Sequence, residues 1–246
     1  MYIRKSRKQN SSRLITVLTL LIILLVFVGY IGYRWYSRSG GRTTRVISWI
    51  RNPSSHPEWS IEAGERCGEA PFFMPTSGLI GFLWDDSFRP GHHHQGIDIF
   101  GGEEPGFTPV FVAYDGYLTR LPEWKSSLII RIPSDPLQPS RQIWTYYTHL
   151  ASKAGDSFIQ PDFPPGTAEM FVESGTLLGY QGNYSGDPNN PTGVHLHFSI
   201  VKDDGSGSFL NELQIKNTID PSPYFGLELN ARDNPDTIPT CKDMEE

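Results

Sequence analysis

Residues 194–201 read Val194-His195-Leu196-His197-Phe198-Ser199-Ile200-Val201. Side chains of a β-strand alternate between its two faces. His195, His197 and Ser199 therefore fall on one face, and Leu196, Phe198 and Ile200 on the other. The apolar face calls for a core, and the face with two histidines calls for a groove. The same two-sidedness recurs twice upstream. In 142–150, QIWTYYTHL, alternation puts Tyr147 and His149 together, with Trp144 and Tyr146 opposed. In 94–98, HQGID, His94, Gly96 and Asp98 share a face, with Ile97 and Ile99 opposed. The simplest assembly is a sheet whose underside is apolar and whose floor is lined by His and Asp.

Outward from these stretches, strand-like segments run over 79–84, 96–100, 109–114, 116–121, 127–132, 142–149, 176–181 and 194–201. Turn-rich loops separate them at 101–108, 133–141, 152–168 and 183–193, where substrate contacts commonly sit. The chain holds 24 Gly and 20 Pro, and 13% of it is aromatic, a mix that favours short strands and turns over long helices. The expected fold is mainly β.

Six of the seven histidines lie in or beside the three quoted segments. On a straight strand, His94 and Asp98 would stand about 13 Å apart. A zinc ion takes its ligands at about 2 Å, so both could serve one ion only if the chain bends, which Gly96 makes inexpensive. His195 and His197 lie about 6.6 Å apart on one face, which suits a ligand beside a catalytic base. Two His and one carboxylate are a recurring zinc-hydrolase set. The same trio holds Fe(II) in non-haem oxygenases, although those usually space it H-x-D. A serine hydrolase would need a G-x-S-x-G elbow, and a helix Glu base would need H-E-x-x-H; neither is present. A lone histidine on a strand is ordinarily just hydrogen-bonded or exposed. His56 is read so, while His92 and His93 are read as loop residues within reach of the groove.

At these residues the sequence resembles the lysostaphin-type zinc endopeptidases of bacterial cell walls. That family's signature is H-x-G-[IV]-D, a G-T-P-V turn, Y-x-H-L and G-x-H-L-H-F. Here it stands as His94-Gln95-Gly96-Ile97-Asp98, Gly106-Phe107-Thr108-Pro109-Val110, Tyr147-Thr148-His149-Leu150 and Gly193-Val194-His195-Leu196-His197-Phe198. Asp220-Pro221 is similar to the D-P that commonly ends the family's domain. The resemblance covers about 72–225. It implies an antiparallel β domain with a groove across one sheet. It also implies Zn2+ held by His94, Asp98 and His197, a catalytic pair in His149 and His195, and peptidoglycan peptides as substrate. Two departures, Phe107 inserted in the turn after an acidic stretch at 101–105 and a long polar segment at 183–191, are expected at the groove walls. Some family members are inactive scaffolds or activators that lack ligand positions; here all five positions are filled. A catalytically gated or inactive scaffold or activator of other cell-wall enzymes stays the alternative, and a regulatory protein partner is expected beside the peptidoglycan substrate and the membrane.

Leu14 to Tyr33 is an uncharged stretch of 20 residues, about the length that spans a bilayer. No A-x-A cleavage site follows it, so an uncleaved transmembrane anchor is expected rather than a signal peptide. Five basic residues precede the span and four follow it, so charge alone leans only slightly toward a cytoplasmic N-terminus. The activity implied by the resemblance then places the catalytic domain outside the cytoplasm. Residues 1–45 carry nine Lys/Arg and no Asp/Glu, and the remainder carries 12 against 27. Such an acidic remainder argues against nucleic-acid binding. The expected organisation is a basic N-terminus at 1–13, the span at 14–33, a connector at 34–70, the peptidase domain at 71–225 and an acidic tail at 226–246. Cys67 and Cys241 bracket the domain, either as separate thiols or as a disulfide of the kind an oxidising compartment permits.

Overall fold

The computed structural model describes residues 6–87, 91–234 and 236–241. Parts of the basic N-terminus (1–5) and of the acidic tail (235 and 242–246) lie outside the described residues. The chain divides into two units, Met1–Gly41 and Arg42–Glu246. Helix α1, Ser6–Arg51, begins in the first. Within it, Arg13–Tyr33 has a mean hydropathy of 3.0 and is exposed throughout, and it is long and apolar enough to cross a membrane.

In the second unit, the last turns of α1 are packed. Val46 and Trp49, three residues apart and so on one helical face, are buried against Leu79 and Phe100. Trp49 Nε1 donates to the Phe100 carbonyl at 2.7 Å. The 34–70 connector is therefore corrected over 42–70. Of the short apolar run 46–50, Val46 and Trp49 are buried on the sheet while Ile47 and Ile50 stay exposed, and Ile61 and Cys67 join the main core.

Among the described residues, the main sheet has nine strands. They are β1 (Ser60–Ile61), β2 (Gly78–Phe82), β3 (Ile97–Phe100), β5 (Gly116–Thr119), β6 (Leu128–Ile132), β7 (Ile143–Thr148), β8 (Met170–Val172), β10 (Leu196–Lys202) and β11 (Thr218–Ile219). Their order is β1-β2-β3-β10-β7-β6-β5-β8, with β11 pairing β10. Strands β4 (Pro109–Phe111) and β9 (Leu177–Tyr180) form a separate pair. Every pairing between these strands is antiparallel. All eight expected strands are present; the short β1, β8 and β11 carry no alternation and went unread.

Strand β10 lies between β3 and β7. His197 pairs with Asp98 on one side and with Thr148 on the other, so the three motif strands are adjacent. Beneath them Ile97, Ile99, Tyr147, Leu196, Phe198 and Ile200 enter the core with Phe72, Tyr224 and Phe225. Each such side chain contributes about 1.5–3 kcal/mol by burial.

Part of the acidic tail at 226–246 is packed into the domain. Leu227, Leu229 and Cys241 belong to the core, and Trp84 and Ala231 donate backbone hydrogen bonds to Leu229 and Trp84, respectively. The Asp220 carboxylate accepts from the Ser222 backbone and from Asn230 Nδ2, which fixes the turn into helix α2 (Ser222–Phe225) and its continuation. Cys67 and Cys241 form a disulfide, with Cα atoms 4.9 Å apart.

Candidate metal centre and active site

Each of the five histidine and aspartate positions reaches the site by a different local device. His94 precedes β3, on a segment tied down by two backbone bonds: His94 N–H to Asp86 O at 2.9 Å and Asp85 N–H to His94 O at 2.8 Å. The chain then passes Gly96, where a Cβ would lie 2.1 Å from the Phe198 carbonyl oxygen. Glycine is needed here because two backbones touch, beyond any ease of bending. Asp98 and His197 face each other across the β3–β10 ladder.

For His149 the strand reading is corrected. Tyr147 is fully buried and its hydroxyl accepts from Ala113 N–H at 3.0 Å, so it faces the core. Trp144, Tyr146 and Thr148 take the opposite face; the latter two line the groove. By parity His149 would follow Tyr147 inward. It escapes because β7 ends at Thr148 and His149 takes φ +72°, a left-handed conformation that non-glycine residues rarely adopt and that collects at functional sites. The turn swings its ring to the groove side.

There the groups converge. His94 Nε2 lies 3.0 Å from Asp98 Oδ1 and 3.1 Å from His197 Nδ1, and His197 Nδ1 lies 2.9 Å from Asp98 Oδ1. His94, Asp98 and His197 are all buried and form a trio that could hold a metal ion. Outer partners fix which nitrogen faces inward. His94 Nδ1–H donates to the Leu83 carbonyl at 2.9 Å, which leaves Nε2 as an acceptor. His197 Nε2–H donates to Glu212 Oε1 at 3.1 Å, which leaves Nδ1 facing the trio. Nitrogen, oxygen and nitrogen acceptors about 3 Å apart require something positive among them, either a proton or a cation. Two donors on a tetrahedral zinc with bonds of about 2.0–2.1 Å stand roughly 3.3 Å apart, so the trio fits that ion with little movement.

The electrostatics agree. Burial pushes the Asp98 carboxyl up, but His94, His195 and His197 outweigh it and hold Asp98 well below the usual carboxylate range. Burial pulls His197 down, but its bonds to Asp98 and Glu212 prevail and raise it to about 10.

The other two rings are arranged differently. His149 Nδ1–H donates to the Tyr184 carbonyl at 2.6 Å and His195 Nδ1–H to the Gly193 carbonyl at 2.8 Å. Both therefore turn a bare Nε2 to the groove, and His195 Nε2 stands 3.5 Å from Asp98 Oδ1. The ring centroids of His149 and His195 are 4.5 Å apart. Burial, with His195 and His197 adding to it, lowers His149 to about 3. Burial also lowers His195, against the opposing pull of Asp98. Both are neutral near pH 7.

These side chains open into a cavity of about 440 Å³. Its wall carries a row of hydroxyls: Tyr146 donates to Ser127 Oγ at 3.0 Å, and Ser127 and Thr148 share a bond of 2.6 Å. Tyr184, Ser185 and Gly186 of the polar 183–191 segment line it as expected. The insertion at Phe107 does not. Phe107 is exposed and, with Glu103, Glu104 and Ile50, lines a second cavity that reaches Gly193 and Val194. His92 and His93 stay outside the groove lining; His93 pairs with Asp85 at 2.6 Å. His56 stacks on Trp59 at 3.7 Å. Sequence reasoning missed Glu212, which lies in a polar stretch without motif or period, and the carbonyls of Leu83, Tyr184 and Gly193, which only folding selects.

No protein-family model matches the chain, and no curated protein does. Among solved structures, it is similar to the catalytic domain of the antimicrobial peptidase lysostaphin from Staphylococcus simulans: 19% identity over 59% of this chain and 88% of that one, TM-score 0.38. Whole lysostaphin from the same organism gives 16% identity, 68% and 54% coverage, and a TM-score of 0.37. Helicobacter pylori Csd3 gives 19% identity, 62% and 32%, and 0.36. The chain thus spans most of an isolated catalytic domain but about half of whole lysostaphin and a third of Csd3. In its mainly antiparallel β fold, the chain is similar to these solved structures of lysostaphin-type peptidases.

Proposed function

We propose that the chain is a membrane-anchored zinc metalloendopeptidase that hydrolyses peptide bonds of peptidoglycan outside the cytoplasm. The observation that carries this reading is the convergence of three inward-facing acceptors on His94, Asp98 and His197, beside two neutral histidines with bare Nε2 atoms.

In this reading His94 Nε2, Asp98 Oδ1 and His197 Nδ1 would hold zinc. Zinc supplies Lewis-acid polarisation of the scissile carbonyl and makes water nucleophilic near neutral pH. His149 and His195 do the proton work. One accepts the proton of the attacking water on Nε2, and as an imidazolium it can return that proton to the leaving amine. The other stands by the developing oxyanion. Their Nδ1–H bonds to Tyr184 and Gly193 keep both rings in the tautomer that leaves Nε2 bare. The hydroxyls of Tyr146, Ser127 and Thr148 offer partners to an extended peptide backbone. The exposed apolar span Arg13–Tyr33 supports the anchor.

The test uses the full chain in detergent micelles with purified peptidoglycan, scoring bound metal and new amino termini together. One zinc per chain, with cleavage that a chelator abolishes, is the expected result. His94→Ala should lose metal and activity, whereas His195→Ala should keep the metal and lose at least about 100-fold in rate, the scale of a general acid–base group. Full activity in His195→Ala would refute the role assignment. Zinc without cleavage would point to a gated enzyme or a scaffold.

A further inference from the structure

We propose that Glu212 is a positioning residue for His197, setting the tautomer and ring orientation that bring Nδ1 into the metal-holding trio. This deepens the metal-centre reading above and rests on it.

The two ring ligands use opposite nitrogens. His94 presents Nε2, because its Nδ1–H is taken by the Leu83 carbonyl 2.9 Å away. His197 must present Nδ1, because that atom, not Nε2, lies 2.9 Å from Asp98 Oδ1 and 3.1 Å from His94 Nε2. A neutral imidazole carries one N–H, and whichever nitrogen holds it cannot bind a metal. His197 therefore needs its hydrogen on Nε2. The group facing Nε2 at 3.1 Å is Glu212 Oε1. An ionised carboxylate can only accept, so it selects the Nε2–H form and rejects the alternative.

Glu212 suits the task. Its side chain is 14% exposed and that of His197 8%, so the charge-assisted bond is shielded from water. It sits on the loop between β10 and β11, and that loop is braced. Leu213 N–H donates to Asn211 Oδ1 at 3.0 Å and Asn217 Nδ2 to Asn211 O at 2.8 Å. Gln95, next to His94 in sequence, donates from Nε2 to the Leu213 carbonyl at 3.2 Å. The residues on either side of Glu212 are thus tied within their own loop and to the segment that carries another ligand. Removing such an outer partner typically costs 10–100-fold in metal affinity.

The experiment measures zinc affinity of the full chain in detergent by competition with a chromogenic chelator. It compares the unaltered protein with Glu212→Ala, Glu212→Gln and His197→Ala, and records Co2+ absorption spectra of each. Glu212→Ala is expected to bind zinc about 10–100-fold more weakly and to shift the Co2+ bands. Glu212→Gln keeps an acceptor without the charge and should fall between Ala and Glu. A merely space-filling role would leave Gln equal to Glu in both readouts. If Glu212→Ala does not melt cooperatively, Glu212→Gln decides: unchanged affinity with an unchanged spectrum overturns the proposal. One zinc in the unaltered chain, lost on His197→Ala but kept at full affinity on Glu212→Ala, overturns the positioning role alone. No zinc in the folded unaltered chain overturns the metal centre and this proposal together.

Discussion

His197 carries a proton that a metal would have to displace. Burial acts to strip that proton, but Asp98 and Glu212 win and hold the ring's pKa up at about 10. Metal uptake needs the Nδ1 lone pair, so one proton must leave. Apparent zinc affinity should therefore rise with pH from 6.5 toward 10, by about tenfold per unit, and then level off. Calorimetry in buffers of different ionisation enthalpy should count one proton released per zinc; a count of zero near pH 7 would refute the picture. The sign for the metal-free fold is opposite. A raised pKa gives stability that is complete below the unfolded value near 6.5 and is lost as pH rises through about 10, so the chelated protein should melt lower at pH 9 than at pH 6.5. Gly96→Ala should be severely destabilising, since its Cβ would meet backbone 2.1 Å away rather than a movable side chain. A melting temperature within about 2 °C of the parent would contradict that contact. At this scale much of the site was legible. Alternation put His195 and His197 together, and the quoted motifs named His94, Asp98 and His149. The face of His149 was misread because a positive φ breaks the parity that alternation assumes. Glu212 was invisible because nothing in its neighbourhood repeats.

An element is legible when its pattern is long enough to have a period. Strands β6, β7 and β10, five to seven residues each, show their apolar face clearly. Strands β1 and β11 have two residues each and have no period to show. Helix α1 shows a different limit. Its last turns look like linker because they are rich in Arg, Ser and Gly, yet Val46 and Trp49 pack them on the sheet. Trp49 covers Leu79 and Phe100 and donates to the Phe100 carbonyl, and the Phe100 ring stacks on His195 at 4.9 Å. The end of the helix thus touches the residue that stacks on the His195 ring. Trp49→Ala is expected to cost about 3–5 kcal/mol, the usual range for a buried Trp lost from a core. It should be read by denaturant unfolding, where a loss below about 1 kcal/mol would show that the helix end is only resting on the sheet. A chain cut to begin at residue 60 should show a comparable loss, because it lacks the same two side chains.

At the scale of the compact unit from 42 onward, the open question is what holds the chain's far ends to a sheet assembled from its middle. The motifs lie between 94 and 198, whereas Ile61, Cys67, Leu229 and Cys241 are also in the core. Arg42, itself buried, donates to the Asn234 carbonyl and pairs with Asp86 at 3.4 Å, so the helix end, the segment before His94 and the tail meet. The acidic composition of 226–246 hid this, because a few apolar side chains among many polar ones are enough to dock a segment. The Cys67–Cys241 disulfide spans 174 residues. In the chain-entropy model so long a loop confines the unfolded state most, with an upper limit of about 5 kcal/mol and typical losses of 2–4 kcal/mol. Cys67→Ser with Cys241→Ser should therefore lower stability by about 2–4 kcal/mol and leave the His94, Asp98 and His197 trio intact, since neither cysteine touches it. The reading is distinctive because stability and metal content part company. Reduced denaturant tolerance with one zinc per chain is the expected outcome, while loss of zinc at temperatures where the variant remains folded would mean that the tail positions the site as well as closing the fold.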